Sequence, residues 1–295
     1  MRVGIDIPYF AAPSEIRDYA QAMEGLGFAH LGFSQHLCST LDSPFPNPVL
    51  AFDDPWREPF TLSAFLAAVT TTVEINPAML LLPLYPPVLA AKQAAEIDNL
   101  SGGGRIRLAV SRGWNDRECE ALGVDPTTRG ARLEEQIEVM RKLWSARAVD
   151  HHGRFFTLSQ TGITPRPPAP IPIWLGAGRM NEGGFFAPAA IERAARVADG
   201  FKFAAPTFTD LDRVARLVDD LRAAVSKAGR DGDAFGIELR LVAHLTTADD
   251  WPGVLERARS IGATHVGVAN RIAGGTVADQ IAWATRFADA TRSLW

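Results

Sequence analysis

The chain has 295 residues, 47% hydrophobic and 22% charged, with a formal net charge of -4. That length supports a sizeable core, and the mild acidity argues against nucleic acid or an anionic membrane as the main partner. Cys38 and Cys119 match no metal spacing or disulfide framework, the N-terminus lacks a signal-peptide pattern, and no apolar run approaches the roughly 18 residues that cross a bilayer, so the expectation is a cytoplasmic protein.

In chain order, Val3, Ile5 and Ile7 predict a first strand, stopped by Pro8. Pro13-Ser14-Glu15 opens a helix through Leu26, with Ser14 as its N-cap and Gly27 at its end. Ala29 to Phe33 forms strand two, with Ser34-Gln35-His36 at its C-terminal end. Cys38 to Glu58, rich in Pro, Asp and Ser, is too long for an ordinary connection and reads as a functional loop such as a lid. Phe60 to Val69 is helical, and strand three runs from Thr71 to Leu82. Pro77 inside that strand demands an edge, a bulge or a local distortion.

A helix from Val88 to Leu100 is ended by Gly102 to Gly104, because glycine takes the left-handed conformation at little cost. Ile106, Leu108 and Val110 alternate as strand four, whose far end is Ser111-Arg112-Gly113-Trp114-Asn115. A short helix at Glu118 to Leu122, a longer one over Leu133 to Trp144, and a hairpin from Val149 to Leu158 come next, with His151 and His152 at the hairpin's exposed turn. The Pro-rich run Pro165 to Pro170 leads into strand five, Ile171 to Leu175, and then Gly176-Ala177-Gly178. A helix from Pro188 to Val197 precedes strand six, Gly200 to Ala204. Leu211, Val214, Leu217, Val218, Leu221 and Val225 mark another helix, Ile237 to Leu245 strand seven, Val254 to Ile261 a helix, Thr264 to Val268 strand eight, and Val277 to Leu294 the closing helix. This alternation predicts a single-domain (β/α)8 TIM barrel over residues 1–295, with insertions after strands two and four and before strand five. A doubly wound open sheet is the alternative.

Barrels place their chemistry at the C-terminal ends of strands. That singles out His36 as a proton donor or acceptor, residues 111–115 after strand four, residues 176–179 after strand five, and Lys202 after strand six. Gly176-Ala177-Gly178 can present backbone amides to an anion, although glycine also serves any tight turn. A strained bulge at Pro77-Ala78-Met79-Leu80 would suit a flat apolar ligand, or be a plain edge distortion. No dinucleotide Gly-x-Gly-x-x-Gly, no Gly-x-Ser-x-Gly elbow and no histidine–carboxylate metal spacing occurs, so acyl-enzyme chemistry and a metal site are disfavoured.

Leu100-Ser101-Gly102-Gly103, Arg105 and Gly113-Trp114 resemble the signature of the luciferase-like monooxygenase superfamily. The likeness continues through Gly123-Val124-Asp125, Arg129-Gly130-x-Arg132, Glu134, Ile137-Glu138-Val139-x-Arg141, Leu143-Trp144, Gly153-Arg154-x-Phe156, Pro170-x-Pro172-Ile173-Trp174-Leu175-Gly176 and Ala194-Ala195-Arg196-x-Ala198-Asp199-Gly200. The resemblance implies a usually dimeric (β/α)8 barrel that binds FMN or the deazaflavin coenzyme F420 at its C-terminal mouth and acts on a small molecule. The chain length and the Arg129-Gly130 segment look most like the F420 branch, which includes F420-dependent alcohol and sugar-phosphate dehydrogenases and methylenetetrahydromethanopterin reductase.

By that resemblance, His36 assists hydride transfer at the deazaflavin C5, and a non-proline cis peptide falls at Ala78-Met79. Ser111, Arg112 and Gly113 would lie near the ring and its side chain, and Gly176, Ala177 and Gly178 would hold the phosphate. Three departures stand out, the first being Ser111-Arg112 in place of the more usual Gly-x pair, which narrows the cofactor groove or adds a charge to it. Gln35 replaces the acidic residue that commonly precedes the histidine, and Trp114 replaces the glutamate that serves as acid in the sugar-phosphate dehydrogenases, which puts a glucose-6-phosphate activity in doubt. The leading expectation is an F420-dependent oxidoreductase. The alternatives are a monooxygenase using reduced FMN, supplied by a separate flavin reductase, and a flavin-binding protein without turnover, against which the retained His36 counts.

Overall fold

The computed structural model describes residues 1–8, 10–40, 52–177, 188–203, 207–208, 210–270 and 275–295. In chain order the elements are β1 (Arg2–Asp6), α1 (Pro13–Gly25), β2 (His30–Phe33), α2 (Pro59–Val69), β3 (Glu74–Leu81), α3 (Pro87–Leu100), β4 (Leu108–Ser111), α4 (Asp116–Ala121) and α5 (Arg129–Ser145). They continue with β5 (Val149–His152), β6 (Thr157–Thr161), β7 (Ile173–Ala177), α6 (Pro188–Val197), β8 (Gly200–Phe203), α7 (Leu211–Lys227), β9 (Gly236–Val242), α8 (Trp251–Ser260), β10 (His265–Ala269) and α9 (Val277–Thr291). Eight parallel strands close in the order β1-β10-β9-β8-β7-β4-β3-β2, which is the (β/α)8 barrel and rules out the open sheet. The β5–β6 hairpin stands outside the barrel, between α5 and β7.

Each barrel strand is amphipathic in an unusual sense. Val3, Ile5, Leu31, Ile75, Leu108, Val110, Ile173, Phe201, Ile237, Leu239, Leu241, Val266 and Val268 are buried hydrophobics. Many of the alternate positions are charged, polar or glycine: Gly4, Asp6, His30, Gly32, Glu74, Asn76, Lys202, Glu238, Arg240 and Gly267. Period two sends these two sets to opposite faces of the sheet. The second set fills the barrel interior, as its contacts show. Lys202 Nζ reaches Asn76 Oδ1 at 3.2 Å across the barrel and pairs with Glu238. Arg107 bonds Glu238 at 2.8 Å and Glu74 at 2.6 Å, and its guanidinium lies 4.3 Å from the centroid of Trp174. His30 Nε2 approaches Glu238 at 3.2 Å. The glycines make room: a Cβ on Gly4 would stand 2.2 Å from the His30 ring, and one on Gly236 2.1 Å from Trp174. Lys202, expected after strand six, is therefore a buried interior charge inside β8.

Several boundaries differ from expectation for local reasons. The first helix opens at Pro13 as expected, but its N-cap is Ala12 rather than Ser14, because proline suits the first helical position. Strand three begins at Glu74; the β-branched Thr71 to Val73 instead form a turn whose amides bond the Glu24 carboxylate. Strand seven ends at Val242 and gives way to a 3-10 turn over Ala243–Leu245. The hairpin turn falls after His152, so His151 lies on β5, buried, with Nε2 3.2 Å from Glu135. Ala204, assigned to strand six, lies outside the described residues.

Candidate active site at the barrel mouth

β2 ends at Phe33, and the next residues carry the chain over the C-terminal rim. His36 Nδ1 lies 2.9 Å from Glu118 Oε2, and the Leu37 amide donates to Glu118 Oε1 at 2.6 Å. The His36 side chain is 12% exposed and that of Glu118 only 1%. Two indoles flank the imidazole edge-to-face, Trp56 at 5.0 Å and Trp114 at 5.5 Å between centroids, and Phe10 stands against Trp56 at 5.0 Å. Asn115 caps α4, accepting from the Arg117 amide at 3.2 Å, and donates to Thr40 Oγ1 at 3.0 Å, which ties this helix to the loop after β2.

Sequence reasoning passed over Glu118. The spacing Asn115-x-x-Glu118 is that of a capping box, so the glutamate reads as part of a helix start. In the structure its carboxylate turns instead to residues 36 and 37. Glu118 thus stands one helical turn after Trp114 and bonds the histidine itself.

Next to His36, Gln35 is buried and its Nε2 finds no acceptor among the described residues. Its Oε1 is 3.3 Å from the Tyr85 hydroxyl, which donates to the nearer Glu58 at 2.9 Å. Burial, and then the Glu58 carboxylate, push the Tyr85 hydroxyl up, and burial followed by Glu118 pushes the Cys38 thiol up. Both groups therefore stay protonated at neutral pH.

Pro77 pairs in register with Phe33 of β2, and the register with β4 shifts between Ala78 and Leu80. The open choice at this strand resolves to a bulge, and the Ala78-Met79 peptide is cis, where the resemblance placed it. Met79 packs against β7: a Cβ on Gly176 would sit 1.8 Å from Met79 Cε. Ser111 closes β4 and its hydroxyl accepts from the Gly113 amide at 3.4 Å; Gly113 has φ +78°, where a side chain is strained. Arg112, between them, is exposed, and Ala177 is the last residue of β7. Gly178 and Arg179 lie outside the described residues, as do residues 41–51 of the expected lid. Within the barrel just below the mouth, Arg240 bonds Asp6 at 2.8 Å. Among the described residues no group of three or more His, Cys, Asp or Glu is placed to hold a metal ion, and no helix is long and apolar enough to cross a membrane.

Residues 1–290 match the family model described as luciferase-like monooxygenase. An uncharacterized protein of Mycobacterium tuberculosis (strain H37Rv) is 34% identical over 215 residues, 70% of this chain and 71% of that protein. Pyrimidine monooxygenase RutA of Allorhizobium ampelinum is 32% identical over 184 residues, 60% of this chain and 47% of that one. Among solved structures, an F420-dependent secondary alcohol dehydrogenase in complex with an F420-acetone adduct superposes with a TM-score of 0.79 at 16% identity, covering 100% of both chains. The coenzyme F420 dependent tetrahydromethanopterin reductase from Methanopyrus kandleri gives 0.76 at 14% identity, covering 99% of this chain and 98% of that one. At such identities the two structures speak to the fold.

Proposed function

The chain belongs to the luciferase-like monooxygenase family and is an oxidoreductase, and from that premise we propose that it transfers hydride between coenzyme F420 and a small alcohol or carbonyl compound. The observation that carries this reading is His36 at the C-terminal rim of β2, bonded to Glu118 and walled by Trp56 and Trp114. Oxidising an alcohol releases a hydride from carbon and a proton from oxygen, and the imidazole is the group here that takes that proton. In the reverse direction His36 returns it to the carbonyl oxygen. End-to-end likeness to the F420-dependent alcohol dehydrogenase supports the cofactor choice.

The residues present fit such a ring. Gln35 offers an unmet buried polar atom beside His36, suited to the carbonyl and N–H edge of a deazaflavin, and the Ala78-Met79 bulge offers an apolar back wall. When bound, the deazaflavin supplies C5 as hydride acceptor or donor. Ala78, Met79 and Gly113 would hold the ring, Ser111 and Arg112 its side chain, and Gly176, Ala177 and Gly178 the phosphate. Trp56 and Trp114 restrict the substrate to the space beside the imidazole and keep water from it. As with the resemblance, a homodimer is the expected assembly.

The 32% identity to pyrimidine monooxygenase RutA favours a second reading, a monooxygenase using reduced FMN supplied by a separate flavin reductase. Oxygen separates the two. Under the first reading, anaerobic F420 turnover with a panel of secondary alcohols and ketones proceeds at the aerobic rate. His36→Ala then lowers kcat by about a hundred-fold or more and leaves the cofactor Kd within about three-fold. Unchanged turnover would remove His36 from the chemistry.

A further inference from the structure

We infer that Glu118 is a positioning residue that sets the tautomer of His36. The inference rests on the proton-exchange role proposed for His36, but its geometry stands without any cofactor. An ionised carboxylate only accepts hydrogen bonds, so the ring nitrogen facing it carries the proton. Glu118 Oε2 faces Nδ1 at 2.9 Å, and its second oxygen takes the adjacent Leu37 amide at 2.6 Å. One carboxylate therefore holds both the side chain of residue 36 and the backbone of residue 37. The ring can neither turn over nor slide without breaking a bond to a buried oxygen, and the edges of Trp56 and Trp114 fence its plane.

With Nδ1–H directed to Glu118, the lone pair sits on Nε2, the ring's other nitrogen. Nε2 is then the atom that takes the substrate proton, while the carboxylate compensates the imidazolium that forms. Buried at 1% exposure, the carboxylate is held in place by α4 packing and cannot be replaced by water at the moment of transfer. Asn115 caps α4, and among the described residues the hydrogen bonds of the Glu118 carboxylate go to His36 and Leu37.

The test is a long-range proton–nitrogen NMR correlation on protein labelled with 15N-histidine, with His36 identified by its loss in His36→Gln. In its neutral form, His36 in the wild type is expected with a protonated Nδ1 and an unprotonated Nε2. Glu118→Gln, nearly isosteric, must satisfy two donors with one carbonyl. The expected result is conversion toward the Nε2–H form and a kcat lower by about a hundred-fold, with KM moved less than about three-fold. Glu118→Asp, which keeps the charge, retains the Nδ1–H form and recovers part of kcat. A wild-type His36 found as the Nε2–H form overturns the inference. So does a Glu118→Gln protein whose tautomer or whose kcat is unchanged. The tautomer is read on the protein alone, so a failure to bind or use F420 would sink the proposed function and leave this result untouched.

Discussion

At the scale of single residues, the strongest local demands come from charges inside the barrel. Burial raises the Glu238 carboxyl, but Lys202, Arg107 and His30 together hold it well below the usual carboxylate range. Burial, then Arg107 and His30, push His265 down to about 3, so that ring is neutral at physiological pH. A network of this kind tolerates no missing member, because a buried charge left alone costs more than the pair contributes. Glu238→Gln leaves Lys202 and Arg107 facing an amide in place of a carboxylate. It is expected to lower the unfolding free energy by about 3–5 kcal/mol in urea titration. An unchanged midpoint would mean that the interior is wet enough to screen these groups.

At the scale of elements, much of the family signature turns out to serve connections. The turn from α2 into β3 is gripped from two sides. Glu24 of α1 accepts from the amides of Thr71, Thr72 and Val73 at 2.9, 2.6 and 2.9 Å, while Arg105 donates to the carbonyls of Thr70 and Val73, both at 3.1 Å. Asp199 similarly joins Arg141 of α5 to the amide of Ile173 at the start of β7. Burial raises the Glu24 carboxyl, but those three amides and the Thr72 hydroxyl outweigh it and bring it down to about 2. A carboxylate depressed on folding contributes stability above its unfolded value near 4.5, and that stability is lost as pH falls toward 2. After allowance for its partial exposure, Glu24→Gln is expected to cost about 1–2 kcal/mol at pH 7. The gap from wild type should close between about pH 4.5 and 2 in thermal melts, whereas a constant gap would show that packing, not charge, sets the cost.

The same elements show what was legible in the sequence. Alternating apolar residues such as Val3, Ile5, Leu239 and Leu241 identify strands whatever they face, so the eightfold repeat and the barrel could be read directly. Their partners Gly4, Asp6, Glu238 and Arg240 look like solvent-facing positions in the same pattern, so the charged interior was not legible. Thr71 to Val73 carry strand-forming residues, and only the distant Glu24 makes them a turn. At the site, His36 and the Ala78-Met79 bulge follow from strand position and resemblance. Glu118 does not, because its contact spans 82 residues and its local spacing already has a helical explanation.

For the whole molecule, the barrel has a charged, glycine-lined interior and an apolar outer face, and at its C-terminal rim Gln35 and His36 leave β2 beside the bulge of β3. We propose that this rim serves a deazaflavin. The decisive measurement is a fluorescence titration of the apo-protein with coenzyme F420 and, separately, with FMN. Micromolar or tighter binding of F420, with FMN at least about ten-fold weaker, is the predicted result. Tight binding of FMN with no response to F420 would contradict it and make oxygen the next reagent to test.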